Sequence, residues 1–386
     1  MHDAPRGTVS VPSSGTVVNA GSVARGAWRD GKSGNGTYRP WVHRYTVLVV
    51  LSIVVLICSG GMVTSKNAGL AVPDWPNSYG YNMFAFPVSR WVGAVLLEHT
   101  HRLAASGVGL LTIGLAAALA WTDSRRWVKT LGWTALGLVI VQGVLGGLRV
   151  RLTADWIGIF HGCVAQAFLA LVSFLALATS RWWLTLGAPD SRRPDPAALA
   201  GLSKKLLAVA ILIYMQLALG AAMRHAHAGL SIPDFPKAYG HWWPQVHKAD
   251  LPALNRQRTE TLHQPPTTLA QIHLQMIHRL NATLILGCIL AVASSAWRRR
   301  ELLPDALRWL ATAGVALVAV QITLGMYTIW TNKAADVATA HVAVGASLLV
   351  WAVLTYAATR RWMAGGAPGV RTRSAAPIPQ PMEAMA

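Results

Sequence analysis

The stretch Leu97-Glu98-His99-Thr100-His101-Arg102 places a carboxyl, two imidazoles and a guanidinium at the start of an apolar segment that continues to Trp121. An ionisable side chain at bilayer depth costs at least ~3 kcal/mol on insertion scales, so a chain that keeps several together needs partners for them. On a helix, Glu98 and His101 stand three residues apart and share a face. The pattern returns as Gln271-Ile272-His273-Leu274-Gln275-Met276-Ile277-His278-Arg279, with His-Arg kept and the acid replaced by Gln275. That recurrence points to a duplicated helical fold, and the asymmetry within it points to function.

Around these stretches the chain is mostly hydrocarbon. Hydrophobic residues fill 53% of the 386 positions and charged ones only 13%, where a soluble domain carries about a quarter. The sequence therefore reads as an all-α integral membrane protein. Runs of roughly 20 apolar residues, the length of a membrane span, fall at about 44–64, 92–121, 128–148, 157–180, 205–224, 270–296, 306–329 and 337–360. Eight spans put both termini on one side. The net charge of +19 follows the membrane and gives no nucleic-acid footprint. Arg39, Arg44, Arg125, Arg126, Lys129, Arg181, Arg192, Arg193, Lys204, Lys205, Arg298 to Arg300, Arg360 and Arg361 all fall on that side, which the positive-inside rule makes the cytoplasm. The expected location is a bacterial inner membrane with both termini cytoplasmic. Cys58, Cys163 and Cys288 lie inside predicted spans and read as small apolar residues.

The duplication extends along the whole core. Ala68-Gly69-Leu70-Ala71-Val72-Pro73-Asp74-Trp75-Pro76 recurs 160 residues on as Ala228-Gly229-Leu230-Ser231-Ile232-Pro233-Asp234-Phe235-Pro236. Gln142-Gly143-Val144-Leu145-Gly146 recurs as Gln321-Ile322-Thr323-Leu324-Gly325, and His161 as His341. The expected architecture is two tandem, parallel-related four-helix bundles, with an even number of helices in each half. Its segments are a disordered cytoplasmic tail over 1–40, an N-terminal bundle over 41–182 and a cytoplasmic linker over 183–204. A C-terminal bundle follows over 205–362, interrupted by a long outer loop at 225–269, and a second disordered tail covers 363–386. Gly143 and Gly147, at GxxxG spacing, predict close helix packing.

His101, His161, His278 and His341 occupy the second, fourth, sixth and eighth spans, all entering from the outer side. A lone membrane histidine reads as a polar contact between helices. Four repeat-related ones read as ligands of heme iron, which paired neutral imidazoles suit; zinc or copper would call for a tighter cluster with Cys, Met or carboxylate. The expected pairs are His101 with His161 and His278 with His341. One turn deeper lie Ala105, Ala165, Ala282 and Gly345, small enough to leave a flat macrocycle room. His99, whose repeat counterpart is Met276, reads as a contact residue and His273 as a weak neighbour of the site. His225, His227, His241, His247 and His263 belong to the outer loop. Arg102, Arg279, Arg149 and Arg151 are candidates to pair with heme carboxylates.

With these residues in view, the sequence resembles the heme A synthases of bacteria and mitochondria over about residues 41–362. The resemblance rests on Glu98-x-x-His101-Arg102, the Pro-Asp-Trp-Pro loop with its repeat, His161, Gln275-x-x-His278-Arg279 and His341. It implies oxidation of a heme O methyl group to the formyl group of heme A, for terminal oxidases. It also implies a resident heme b held by His278 and His341, a substrate heme framed by His101 and His161, and Glu98 as the catalytic carboxylate. Implied partners are a heme O synthase, an electron donor and membrane lipid; a homo-oligomer stays open. Some relatives carry a cysteine pair in the first outer loop, which Lys66 to Arg90 lacks, so redox control through that loop is not expected. Two other readings compete: a di-heme cytochrome b that only passes electrons, and a heme carrier. The cytochrome reading does not account for Glu98 in one half and Gln275 in the other, and a carrier would call for an open path and replaceable ligands.

Overall fold

The computed structural model describes residues 36–186 and 194–365. The expected tails, apart from their innermost few residues, and the middle of the expected linker lie outside them. The chain forms α1 (Pro40–Ser65), α2 (Gly93–Thr122), α3 (Arg126–Leu152), α4 (Asp155–Ala178), the short α5 (Arg181–Thr185), α6 (Pro196–His225), α7 (Leu251–Glu260), α8 (Leu269–Arg298), α9 (Asp305–Trp330) and α10 (Ala335–Gly365). All but α5 and α7 are long and apolar enough to cross a membrane. Among the described residues there is no β-strand, and the all-α expectation stands.

Helix ends follow local chemistry. α6 starts nine residues before the span predicted at about 205, because Asp195 caps it: its carboxylate accepts the N–H groups of Ala197 (3.0 Å) and Ala198 (3.3 Å), and Pro196 occupies the first helical position. Lys204, expected at the end of the linker, therefore rides on the helix with Lys205, whose ammonium donates to the Ser295 hydroxyl of α8. α8 begins in a reciprocal Thr268–Gln271 capping box.

Within each half the helices touch in a ring: α1, α2, α3 and α4 in the first, α6, α8, α9 and α10 in the second. The halves meet where α1 packs on α10 and α4 on α6, two repeat-related contacts, with α4 against α10 between them. Each half has its own apolar core. Val49, Leu115, Leu119, Val172 and Leu175 belong to the first and Leu206, Val209, Ile289, Leu307 and Ala352 to the second. Both cores lie deeper than the four histidines, toward the basic end of the molecule. At that end His43 Nδ1 bonds the Ala176 carbonyl (3.1 Å), and Arg125 bonds both Asp123 (2.6 Å) and the Ala178 carbonyl (3.0 Å).

Candidate functional site

The N-terminal ends of α2 and α8 are each capped by a Pro-Asp loop, and the two loops are built alike. The Asp74 carboxylate accepts the N–H groups of Tyr79 and Gly80, both at 2.7 Å; Asp234 accepts those of Tyr239 (2.7 Å) and Gly240 (2.8 Å). The Tyr79 hydroxyl donates to the Ala71 carbonyl as Tyr239 does to Ser231. The repeat thus continues through Asn77-Ser78-Tyr79-Gly80 and Lys237-Ala238-Tyr239-Gly240, a signal present in the sequence beyond the stretch first recognised. Burial alone would raise the Asp74 carboxyl, but the Gly80 and Tyr79 N–H groups and nearby Arg102 outweigh it and hold it below its ordinary range. Burial pushes the Tyr239 phenol up.

Each loop is clamped to its helix by the residue pair singled out in the sequence. Glu98, buried, accepts the Val72 N–H (2.8 Å) on one oxygen and pairs with Arg102 (2.7 Å) through the other. Arg102 also donates to the carbonyls of Asp74 (2.6 Å), Val72 (2.7 Å) and Asn77 (3.1 Å). In the second half the Gln275 oxygen accepts the Ile232 N–H (2.6 Å) while its NH₂ donates to the carbonyls of Gly229 and Ile232. Arg279 donates to the carbonyls of Asp234 (2.8 Å), Lys237 (2.9 Å) and Ile232 (3.4 Å). Arg102 and Arg279 are thus committed to loop carbonyls, which corrects their reading as partners for heme carboxylates. The Glu98 carboxyl likewise faces the loop and Arg102.

The four histidines lie six to nine residues inside the outer ends of α2, α4, α8 and α10, about 9–14 Å down each helix. They come together in the expected pairs, His101 within electrostatic reach of His161 and His278 of His341. Each imidazole rests on a glycine of a neighbouring helix. A Cβ would come within 3.0 Å of His101 at Gly60, 3.5 Å of His161 at Gly146, 3.4 Å of His278 at Gly220 and 3.1 Å of His341 at Gly325. The small residues closest to the rings are therefore not only those one turn below on the same helix. Gly146 and Gly325 had been visible as a repeat, but nothing in the sequence tied them to the histidines. His101 Nδ1 also bonds the Ser59 hydroxyl (3.3 Å) and His341 Nδ1 the Gln321 carbonyl (3.2 Å).

The level of the histidines is also where fully buried residues give out. None occurs between His99 and Val108 on α2, Gly158 and Gln166 on α4, Met276 and Ile285 on α8, or Thr339 and Gly345 on α10. The same holds between Ile53 and Gly61 on α1 and between Ala135 and Gly147 on α3. The four imidazoles are themselves half-buried. Among the described residues, the Nδ1 atoms of His161 and His278 have no hydrogen-bond partner. Among the described residues no three His, Cys, Asp or Glu side chains are grouped to hold a bare metal ion. Imidazoles in pairs, each backed by a glycine, fit a heme.

Other expectations fare variously. His99 is fully buried between Phe86 and Trp91, ring centroids 4.9 and 4.7 Å away, with Nδ1 on the Ser78 hydroxyl (3.2 Å); it is a contact residue as expected. His273 is exposed on α8. Gly147 receives the Trp75 ring and Gly143 faces open space, so this GxxxG serves a loop contact and not helix packing. The three cysteines are free thiols. The long outer loop holds a feature that hydropathy missed: α7, fastened by buried Arg258 to the carbonyls of Leu230 (3.0 Å), Ser231 (3.1 Å) and Pro265 (3.1 Å).

Comparison with known proteins places this arrangement. A family model described as cytochrome oxidase assembly protein, COX15-CtaA, matches residues 43–353. A protein named heme A synthase from Hyphomonas neptunium is 24% identical over 359 residues, covering 84% of this chain and 93% of that protein. Those of Rhizorhabdus wittichii and Halalkalibacterium halodurans are each 26% identical, covering 80% and 77% of this chain and 92% and 90% of their own lengths.

Proposed function

The chain belongs to the COX15-CtaA family of cytochrome oxidase assembly proteins, and we propose that it is a heme A synthase in which the two halves divide the work. The second half holds a resident heme b through His278 and His341. The first binds heme O between His101 and His161 and presents one methyl group for two successive oxidations, to a geminal diol that loses water to the aldehyde. The observation that carries this reading is the two pairs of glycine-backed imidazoles set in like scaffolds, one beside Glu98 and the other beside Gln275.

When bound, the hemes supply the electron transfer and oxygen chemistry. The protein's own residues hold and orient. His101 and His161 fix the substrate iron, with Gly60 and Gly146 leaving the rings room. Glu98 places a negative charge on the helix face shared with His101, where loss of electrons from a methyl group develops positive charge. The Arg102 ion pair and the Val72 N–H hold that carboxylate in place. The basic ends of the spans face the cytoplasm and the histidine level lies toward the opposite face of a bacterial inner membrane. A heme O synthase and an electron donor are the partners this chemistry requires.

Extraction of pigment from the full-length protein, co-expressed with a heme O supply, tests the proposal. Heme A or heme O beside heme b is the expected result. Heme b alone would favour a di-heme cytochrome that passes electrons. Reporter fusions in the loop at 123–125 test orientation, and activity on the outer side would overturn it.

A further inference from the structure

Among the described residues, Arg149 is the arginine near His101 and His161 that the scaffold does not use. It lies on α3 three residues beyond Gly146, the glycine against which His161 packs, so the two share a face. Arg149 is therefore about 4.5 Å nearer the outer surface than that glycine. Its guanidinium passes beside Gly69 of the first loop and is within electrostatic reach of both His101 and His161. Among the described residues it has no hydrogen-bond or ion-pair partner, whereas Arg102, Arg224, Arg258 and Arg279 each have at least two hydrogen bonds or an ion pair. Arg224, which bonds the Gly61 carbonyl (2.7 Å) and the Ser65 hydroxyl, adds a second positive charge within its reach. Against these, Asp155 offers one carboxylate, already facing His225 at 3.7 Å, and Glu98 is paired with Arg102.

In the second half the side chain beside the equivalent loop glycine, Gly229, is Lys333, which comes from the turn after α9 and not from its histidine-facing stretch. At the repeat offset that relates Gly146 to Gly325, Arg149 corresponds to Thr328, whose hydroxyl bonds back to the Leu324 carbonyl of its own helix. Axial imidazoles alone leave a macrocycle free to turn about the iron–nitrogen axis, so they cannot choose which of several ring substituents faces the chemistry. A resident electron carrier tolerates that freedom; a substrate oxidised at one methyl does not.

We propose that Arg149 receives a carboxylate of the substrate heme and so fixes its rotation between His101 and His161, a positioning role for which the helix of the second half carries Thr328 instead. The inference rests on the assignment of the first half to substrate. The test is a spectroscopic titration of the purified full-length protein, its resident heme in place, with ferric protoheme and with the dimethyl ester of the same heme. Wild type should bind the free acid about tenfold more tightly than the ester, the scale of one charge-assisted hydrogen bond. Arg149→Gln should erase that preference by weakening the acid alone, with heme b content unchanged, and Arg149→Lys should restore part of it. Arg149→Gln retaining the preference, or weakening acid and ester equally, overturns the proposal. His161→Ala separates the two claims: it should abolish added-heme binding altogether, and undiminished binding would remove the underlying reading of the first half together with this one.

Discussion

In the first half a carboxylate, Glu98, accepts the Val72 N–H and pairs with Arg102; in the second an amide, Gln275, accepts the equivalent Ile232 N–H and donates to two carbonyls of the same loop. Both sockets are buried and both hold a Pro-Asp loop onto a His-Arg helix. The second half therefore demonstrates that an amide meets every structural demand of this position. A buried carboxylate is the costlier choice and needs Arg102 as its counter-ion. What the comparison teaches is that a neutral amide can hold this loop in one half, so the charge of Glu98 is where the two sockets differ.

The largest expected effect lies on the resident side. His278→Ala or His341→Ala should remove the low-spin heme b spectrum entirely, since six-coordinate iron cannot keep both axial imidazoles after either change. A spectrum that survives either substitution would break the division between halves.

Next, Glu98→Gln should lower heme A formation at least ~10²-fold, the usual scale for one acid–base or electrostatic group, while heme b stays bound. Gln275 already shows how the amide would seat, so a folding defect is not the expected outcome. Heme A made at near wild-type rate would reduce Glu98 to a loop anchor.

A smaller effect separates the glycines. Gly325→Leu should displace the His341 ring and lower the heme-to-protein ratio of the second half about tenfold, from an overpacking cost of ~1–3 kcal/mol. Gly146→Leu, with slightly more room against His161, should spare heme b and weaken only added heme. Absorbance of the purified variants distinguishes them, and equal loss from both halves would contradict the pairing of each glycine with its own site.

The smallest effect is a pH dependence. Asp74 has its carboxyl held below the ordinary range in the folded loop. Its stabilisation is full above the unfolded value of about 3.9 and is lost as pH falls through the lower, folded value. Hydrogen exchange at the Tyr79 and Gly80 amides should thus stay flat at neutral pH and rise only in strong acid. Asp74→Asn should weaken protection of both amides at neutral pH, and protection unchanged by that substitution would remove the carboxylate clamp from the account.

Much of this was legible in the sequence because a membrane leaves few ways to place polar atoms. Apolar runs gave the eight spans to within several residues, and duplication paired His101 with His278 and His161 with His341. What escaped was whatever depends on direction. Arg102 and Arg279 follow His101 and His278 directly and look like ligands for an anion, yet their guanidinium groups turn back to loop carbonyls. Gly60 and Gly220 pack against histidines on another helix, a relation no spacing within one helix reveals. α7 is short and polar, so hydropathy passed over it, and only the buried contacts of Arg258 explain its place.

The most direct test of the division between halves compares His161→Ala with His341→Ala, each purified after growth with a heme O supply and assayed for extractable pigment. The account predicts heme b without heme A in the first, and loss of heme b in the second. Heme A still formed by His161→Ala, or heme b lost equally from both, would contradict it.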